Sequence, residues 1–516
     1  MQKQDEKTAS LYQADPDSKD DTMEEVLSGG EGAVQQVDAK KVLRQLDIRI
    51  IPVLAVLYLM SFLDRANIGN ARIEGMTEDL NIDSQQFNLC LTVFYFTYAA
   101  VEIPSNLLLK KFKPSVWLPT IMVAWGVVTT LTGLVQNYHG LLIARIFLGV
   151  AGQQELVPLF QSSTNNRIEG GLYPGILYYV TQWYSREDAQ YRQALFFASA
   201  SLAGAFSGLL AFAIAKMDGV GGQEGWRWIF ILEGILTVVL AVGAFFVIYN
   251  VPADATFLTP AERQWIVDRT VFKARNAQGA VIEQAEKFQW KYVKDALTDW
   301  HILVAMFMNM GMVVPLYGIS VFLPTIIRAL GYVSNIAQLM TIPIYASACI
   351  ASIAVAWFAD KHGQRSPFLI VLLLVTAFGY VLALAGAGSG LPGLTYAGVF
   401  VIVIGIYSAF PGNMAWISNN VAGNYKRATA LAIHVGWGNM GGAMSSNFYR
   451  IQDSPQFFLG HGLSLGFLAM AMIAVITLRI GYQRANKKRE NQSLEGYTDL
   501  ELSRMGDKAP NFRYGL

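Results

Sequence analysis

Apolar residues run along this chain in long stretches with few charges, parted by short polar turns. Ile229–Ile248 and Phe368–Leu384 are two such stretches. A helix needs about 20 apolar residues to cross a hydrocarbon layer about 30 Å thick. Segments of that kind are predicted at 49–71, 87–110, 115–135, 139–184, 190–215 and 226–250. After a polar stretch at 251–298 come 299–327, 335–358, 367–386, 394–421, 427–449 and 462–483. Six segments, a linker and six more predict an all-α membrane protein with twelve transmembrane helices in two six-helix bundles. The bundles are expected over 40–250 and 299–484, with tails at 1–39 and 485–516. In the linker, Thr259, Pro260 and Glu262 read as an N-cap, a proline at N1 and a capping-box acid. An amphipathic surface helix through Trp265 and Ile266 should follow.

The fourth segment breaks this pattern. Leu141–Ala151 is apolar but too short to span, and 152–168 is mostly polar before Glu169 and Gly170 resume the run. Irregular backbone facing lipid is not tolerated at that depth. Removing 152–168 joins 13 residues (139–151) to 16 (169–184), giving 29. Glu169 then follows Arg145 by seven positions, two helical turns along one face. Gly149 and Gly170 become a Gly-x-x-x-Gly pair, a close-packing signal. The 17 residues are therefore read as a translated intron of 51 bases (17 × 3). A genuine insertion or re-entrant loop is the alternative.

Composition agrees with a membrane protein: 53% of the 516 residues are hydrophobic and 15% charged, against roughly 25% charged in soluble proteins. A net charge of +1 gives no reason to expect a nucleic-acid partner. Residues 1–39 hold ten Asp and Glu against three Lys and lack an apolar core, so they read as a disordered tail and not a signal peptide. Cys90 and Cys349 lie in apolar stretches, where a disulfide is not expected. Lys and Arg gather in alternate loops: Lys40, Lys41 and Arg44; Lys110, Lys111 and Lys113; Arg186 and Arg192; Lys361 and Arg365; Lys426 and Arg427; Arg484 to Arg489. The positive-inside rule then places both termini and the linker in the cytosol. The sequon at Asn491 falls on that side and should stay unglycosylated.

Ionisable groups inside a span are costly, so each is a functional candidate by default. Asp64 and Arg65 sit in the first segment with Asn67 and Asn70, Glu102 in the second, and Arg145 in the fourth, with Glu169 beyond its interruption. The bland reading of Asp64 and Arg65 is an interfacial pair marking a helix end. Glu102 reads as a gating or packing carboxylate. In the second half Tyr317, Trp416, Asn419, His434 and Asn439 are candidate selectivity contacts, although each aromatic alone is more often packing. The glycines at 436, 438, 441 and 442 suit close helix approach and rocking.

Helix eight ends in Trp357, Asp360, Lys361, Gly363 and Arg365. This resembles the Asp-(Arg/Lys)-x-Gly-x-Arg loop of the major facilitator superfamily, and Arg145 with Gly149 is similar to that family's helix-four motif. The matching loop of the first half, 104–114, lacks the Asp and the central Gly. Phe62–Ala71, Glu102–Asn106, Glu169–Gly175 and Gly225–Gly234 resemble the fungal anion:cation symporter branch, which includes allantoate, nicotinate, biotin and pantothenate permeases. The resemblance covers about 40–484.

It implies a plasma-membrane, proton-coupled symporter of a small organic anion, working as a monomer by alternating access. Arg65 and Arg145 would attract the anion, Asp64 and Glu169 would carry protons, and Glu102, Asp360, Lys361 and Arg365 would gate. Each acid would hold or release a partner Arg as it titrates; the competing reading is two fixed structural bridges. Five scattered histidines, with no metal-spaced His/Cys cluster, phosphate loop or nucleophile elbow, argue against an enzyme and imply no cofactor. A transporter-like nutrient sensor, or a transport-inactive splice form, would keep the same residues.

The intron reading has a direct test in the genomic codons across 150–170. It requires GT at Gly152 and AG at the Ile168–Glu169 junction, and a gene lacking either removes it.

Overall fold

Helices account for nearly the whole fold. The computed structural model describes residues 37–108, 114–151, 179, 180, 183, 184, 186–267, 269, 290–493, 496–498, 501, 502 and 505–516, and no strand occurs among them. Twelve helices of fourteen residues or more follow in order. The first half holds α1 (Ala39–Ile73), α2 (Ser84–Leu108), α3 (Pro114–Thr132), α4 (Tyr138–Ala151), α5 (Arg186–Ala215) and α6 (Gly225–Val247). The second holds α7 (Trp300–Ala329), α8 (Ser334–His362), α9 (Ser366–Ser389), α10 (Pro392–Asn420), α11 (Asn424–Ser445) and α12 (Phe458–Glu490). Among the described residues, nine helices are long and apolar enough to cross a membrane. The stretch 152–168, Glu169, the tail 1–36 and the side chain of Glu102 lie outside the described residues.

Several helices outrun their apolar segments because polar ends are capped. Helix α1 starts at Ala39, where the Asp38 carboxylate accepts from the amides of Lys40 (3.0 Å) and Lys41 (3.1 Å). Its first turns then bury Val42, Leu46 and Ile50 at helical spacing. In the linker, the amide of Thr259 donates to Glu262 Oε2 at 2.8 Å and the amide of Glu262 to Thr259 Oγ1 at 3.3 Å, a reciprocal cap. Ile266, on the helix that follows, is 2% exposed. A second short helix, Trp290–Thr298, buries Ala296 against Ile302, Val421 and Ala430.

Packing repeats between the halves. In the first, α1 contacts α5 and α6, α2 contacts α4, and α3 contacts α4 and α6. Adding six to each number gives contacts of the second half: α7 with α11 and α12, α8 with α10, α9 with α10 and α12. The halves meet through α1–α7, α2–α11 and α5–α8. Each crossing has a glycine at its closest approach. A Cβ on Gly69 would strike the Val321 carbonyl, one on Gly442 the Tyr95 ring, and one on Gly208 the Gln338 carbonyl and the Thr341 hydroxyl.

The end that holds Ala39 and Glu490 is termed the near end, the opposite one the far end. At the far end the halves are tied by hydrogen bonds. Arg328 Nη1 (2.8 Å) and Ser334 Oγ (2.9 Å) donate to the Ile73 carbonyl, Gln338 to Glu74 at 3.0 Å, and Asn447 to Thr92 at 3.0 Å.

At the near end, residues 505–516 are strapped across the second half. Tyr514 stacks on Tyr482 with ring centroids 4.6 Å apart, and Arg489 lies 4.6 Å over the Tyr514 ring. The Gly515 carbonyl accepts from Trp416 Nε1 (2.9 Å) and Asn420 Nδ2 (3.0 Å), and the amide of Arg365 donates to the Leu516 carbonyl at 2.6 Å. Lys426 Nζ reaches Asp299 at 2.6 Å and both Asp507 oxygens at 2.8 Å, all three side chains being nearly buried. Burial alone would raise the Asp299 carboxyl. Hydrogen bonds from His301 and Lys426, with the Lys426 charge, outweigh it and hold the group well below the usual carboxylate range.

A depressed folded value means the stabilisation is present above the unfolded value of about 3.9 and is lost as pH falls through the folded one. The Asp299–Lys426 contact beneath the strap should therefore persist from neutral pH down through pH 4 and weaken only under stronger acid. Lys426→Ala leaves two buried carboxylates without their cation, a change costing about 3–5 kcal/mol. The expected outcome is a strap cleaved early in limited proteolysis at pH 7, which the native chain should resist.

Candidate functional site

The polar residues of the first segment fall on two faces of α1. Adjacent helical residues diverge by about 100°, so Asp64 and Arg65 do not face the same surroundings. Arg65 lines a cavity between the halves together with Tyr58, Tyr98, Phe197, Asn309, Tyr317, Phe410 and Asn439. The cavity, counted with the open space it joins, has an empty volume of ≈ 440 Å³. Two aromatic contacts bridge the halves at its ends. Tyr95 and Tyr317 lie 4.9 Å apart on the far side, and Phe197 and Phe410 stack at 4.6 Å on the near side.

Three rings hold the Arg65 guanidinium: Tyr98 at 4.9 Å, Phe62 at 5.3 Å and Trp125 at 5.5 Å. Among the described residues its Nε has no hydrogen-bond partner and no carboxylate forms an ion pair with it. Cation–π contacts position a guanidinium without neutralising it. Chemically, the cavity offers one unmatched cation, aromatic walls and amides.

Asp64 points the other way, into the first half, and is 1% exposed. Its Oδ2 accepts from Trp125 Nε1 at 2.8 Å, Thr237 Oγ1 at 3.4 Å and Thr129 Oγ1 at 3.5 Å. One turn on, Asn67 Nδ2 donates to Glu233 Oε2 at 2.5 Å. Another turn on, Asn70 Nδ2 donates to Ser207 at 2.6 Å, and Ser207 Oγ in turn to Asn67 Oδ1 at 3.4 Å. Positions 64, 67 and 70 thus form a ladder against α3, α5 and α6. Gly234, beside Glu233, lets α6 close on α3, since a Cβ there would meet Thr130. Arg145, 2% exposed, has Nε and Nη2 without partners among the described residues and lies 5.8 Å over Phe230. It sits behind the ladder and does not line the cavity.

The expected pairing of Asp64 with a neighbouring Arg is replaced by hydroxyl and indole donors, because helical geometry turns Arg65 away. In the second half, Tyr317 and Asn439 do line the cavity, the Tyr317 hydroxyl donating to Asn439 Oδ1 at 3.1 Å. Three other candidates do not. Trp416 gives its indole N–H to the strap, Asn419 is exposed, and His434 is 0% exposed inside α11. Asn309 and Asn413 stand closer: Asn413 Nδ2 donates to Asn309 Oδ1 at 2.8 Å, and Asn309 Nδ2 to the His434 carbonyl at 2.6 Å. At the near end Asp360 pairs with Arg365, while Lys361 lies 5.4 Å over Trp357. Glu233, Asn309 and Asn413 were missed by sequence reasoning. The cost of a polar group in an apolar run, applied to every segment, would have found all three.

A sequence model described as Major Facilitator Superfamily matches residues 54–161 and 168–446, passing over 162–167 in the polar stretch of the fourth segment. An uncharacterised transporter of Schizosaccharomyces pombe is 34% identical over 519 aligned residues, covering 100% of this chain and 98% of that one. A high-affinity nicotinic acid transporter of Saccharomyces cerevisiae is 32% identical, with 92% and 84% covered. The solved proton:xylose symporter XylE has a TM-score of 0.63 at 14% identity, covering 84% of this chain and 96% of that one, a likeness of fold.

The shortest donor to Asp64 gives a stability test. Trp125→Phe removes the indole N–H and leaves a cavity whose cost does not depend on pH, while the hydrogen-bond loss should add about 1.5–3 kcal/mol if Asp64 is ionised and about 0.5–1.5 kcal/mol if it is neutral. Thermal unfolding of the purified chain in detergent, at several pH values, reads the difference.

Proposed function

The chain belongs to the major facilitator superfamily, and from that premise we propose that it carries a small organic anion together with protons by alternating access. It is a multi-pass membrane transporter, as its relatives are, and not an enzyme. One observation carries the anion reading: Arg65, held by rings and left without a carboxylate, in a cavity shared by both halves. A small carboxylate can take both arms of a guanidinium fork. Nicotinate, the cargo named for the yeast relative, is a fitting first probe, because the cavity walls are largely aromatic.

In this reading Asp64 carries the proton. Its placement behind Arg65 lets its charge act on the guanidinium through the protein without occupying it. Arg145 then answers Asp64 more than it touches substrate, and Glu169 is the second proton carrier of the spliced chain. Tyr317 and Asn439 contact the anion from the second half. Glu102 and the Asp360–Arg365 pair, with Lys361 beside it, belong to the gates. The basic loops support a near end and both termini in the cytosol, and the same reading has the protein working as a monomer in the plasma membrane. The sealed far end is then the external gate. The working form is read from the sequence as lacking 152–168, a stretch of which the family match passes over 162–167 alone.

Proteoliposomes loaded with nicotinate and related monocarboxylates separate the roles. Arg65→Ala should lose counterflow and gradient-driven uptake together, by about 10- to 100-fold, as expected for one charged hydrogen-bonded contact. Asp64→Asn should keep counterflow and lose uptake driven by a pH gradient. Equal loss of both in Asp64→Asn would remove the proton-carrier role. Binding without accumulation would favour a sensor.

A further inference from the structure

Glu233 is a buried acid that the transport reading does not use. It lies on α6, 2% exposed, and does not line the cavity. Its Oε2 accepts from Asn67 at 2.5 Å, and its Oε1 has no partner. Asp64 is in the same condition: Oδ2 takes three donors and Oδ1 none. The two acids belong to one ladder. Thr237, which donates to Asp64, follows Glu233 by one helical turn, and Asn67, which donates to Glu233, follows Asp64 by one turn. The carboxyls are therefore offset by about 6 Å along the helix axes, with neutral groups between them.

The charged and titratable surroundings are sparse. Arg145 of α4 acts on Asp64, and Cys90 and Tyr95 of α2 lie near Arg145. Arg65 faces the cavity. From α3 come Trp125 and Thr129, and from α5 comes Ser207, all neutral. Among the described residues, Arg145 acts on Asp64 without a hydrogen bond to it, while the charged neighbour that acts on Glu233 is Asp64 itself. Two carboxylates at such a distance in a low-dielectric interior do not ionise independently; they titrate as a unit.

We propose that Glu233 and Asp64 form a coupled carboxyl pair that takes up and releases protons as one unit, with Glu233 the positioning member away from the cavity. Substrate then senses the pair through Asp64, while Glu233 sets the proton concentration at which Asp64 changes state. Taking about 6 Å, the axial offset, as the smallest separation of the two charges at an effective dielectric near 20, each acid alters the other's proton affinity by up to about 100-fold. The proposal rests on the transport reading only in placing a proton on Asp64, and the pair itself is read without substrate.

The test is infrared difference spectroscopy of the full chain in lipid nanodiscs, following the carbonyl band of protonated carboxyls through a pH titration. The native chain should show two linked steps. Glu233→Gln and Asp64→Asn should each leave one, displaced by up to about 100-fold in proton concentration from its native position. An Asp64 step unmoved by Glu233→Gln overturns the pair. If Glu233→Gln does not fold, carboxyl-13C glutamate in a chain with Glu102→Gln and Glu169→Gln decides. A labelled step that Asp64→Asn displaces supports the pair, and the absence of such a step overturns it. Because no substrate or gradient is used, loss of gradient-driven uptake with intact bands would sink the symport reading alone.

Discussion

Inside an apolar bundle, hydrogen-bond partners are scarce, and that scarcity decides where every polar side chain of this protein sits. An unpaired polar group there costs several kcal/mol, so α1 can carry Asp64, Asn67 and Asn70 only where other helices bring donors and acceptors. Trp125 and Thr129 of α3, Ser207 of α5, and Glu233 and Thr237 of α6 do so. The ladder consequently ties four helices into one body around a polar seam. Among the described residues, one oxygen on each acid of the ladder and two nitrogens of Arg145 behind it are left without partners.

The halves share a packing pattern but not a chemistry. Acids and arginines gather in the first, whereas the cavity wall of the second is built from Asn309, Tyr317, Phe410 and Asn439. In the proposed reading, charge and shape are thus offered by different halves, and a substrate that satisfied both would draw them together. The second half is braced from outside: the strap at 505–516 touches α10, α11, α12 and the start of α9. Glycines at the three crossings keep backbones close with few interlocking side chains, which suits rocking of one body on the other.

Legibility followed the length scale of the signal. Apolar runs of about 20 residues mark helices because the bilayer demands them, and all twelve segments contain one. Faces within a helix were harder. Trp416 and Asn413 lie one turn apart on α10, yet Asn413 meets Asn309 while Trp416 meets the strap. That division depends on how deep in the bundle each turn sits, which periodicity alone does not state. Glu233 hid inside Gly225–Gly234, a stretch read as family pattern instead of as a lone acid among apolar residues. The strap left almost no trace in the sequence. Its composition is that of a polar tail, and its order comes from Tyr514 finding Tyr482, and Asp507 finding Lys426, far away in the chain.

The separation of Asp64 from Arg65 explains why neighbours of opposite charge are useful here. Had they paired, each anion entering the cavity would first have to break a buried ion pair, a step worth about 3–5 kcal/mol. Aromatic faces instead hold the guanidinium at about 0.5–2 kcal/mol per ring, enough to fix its plane but not to cancel its charge. A lysine would not suit the place, since an ammonium lacks the flat surface that stacks on Tyr98 and the fork that matches a carboxylate. Asp64, one residue away and facing the other side of the helix, can still raise or lower the potential at Arg65 as its own charge changes. In the proposed symport, proton and substrate need no shared atom to be coupled; two neighbouring residues on different faces of α1 are sufficient.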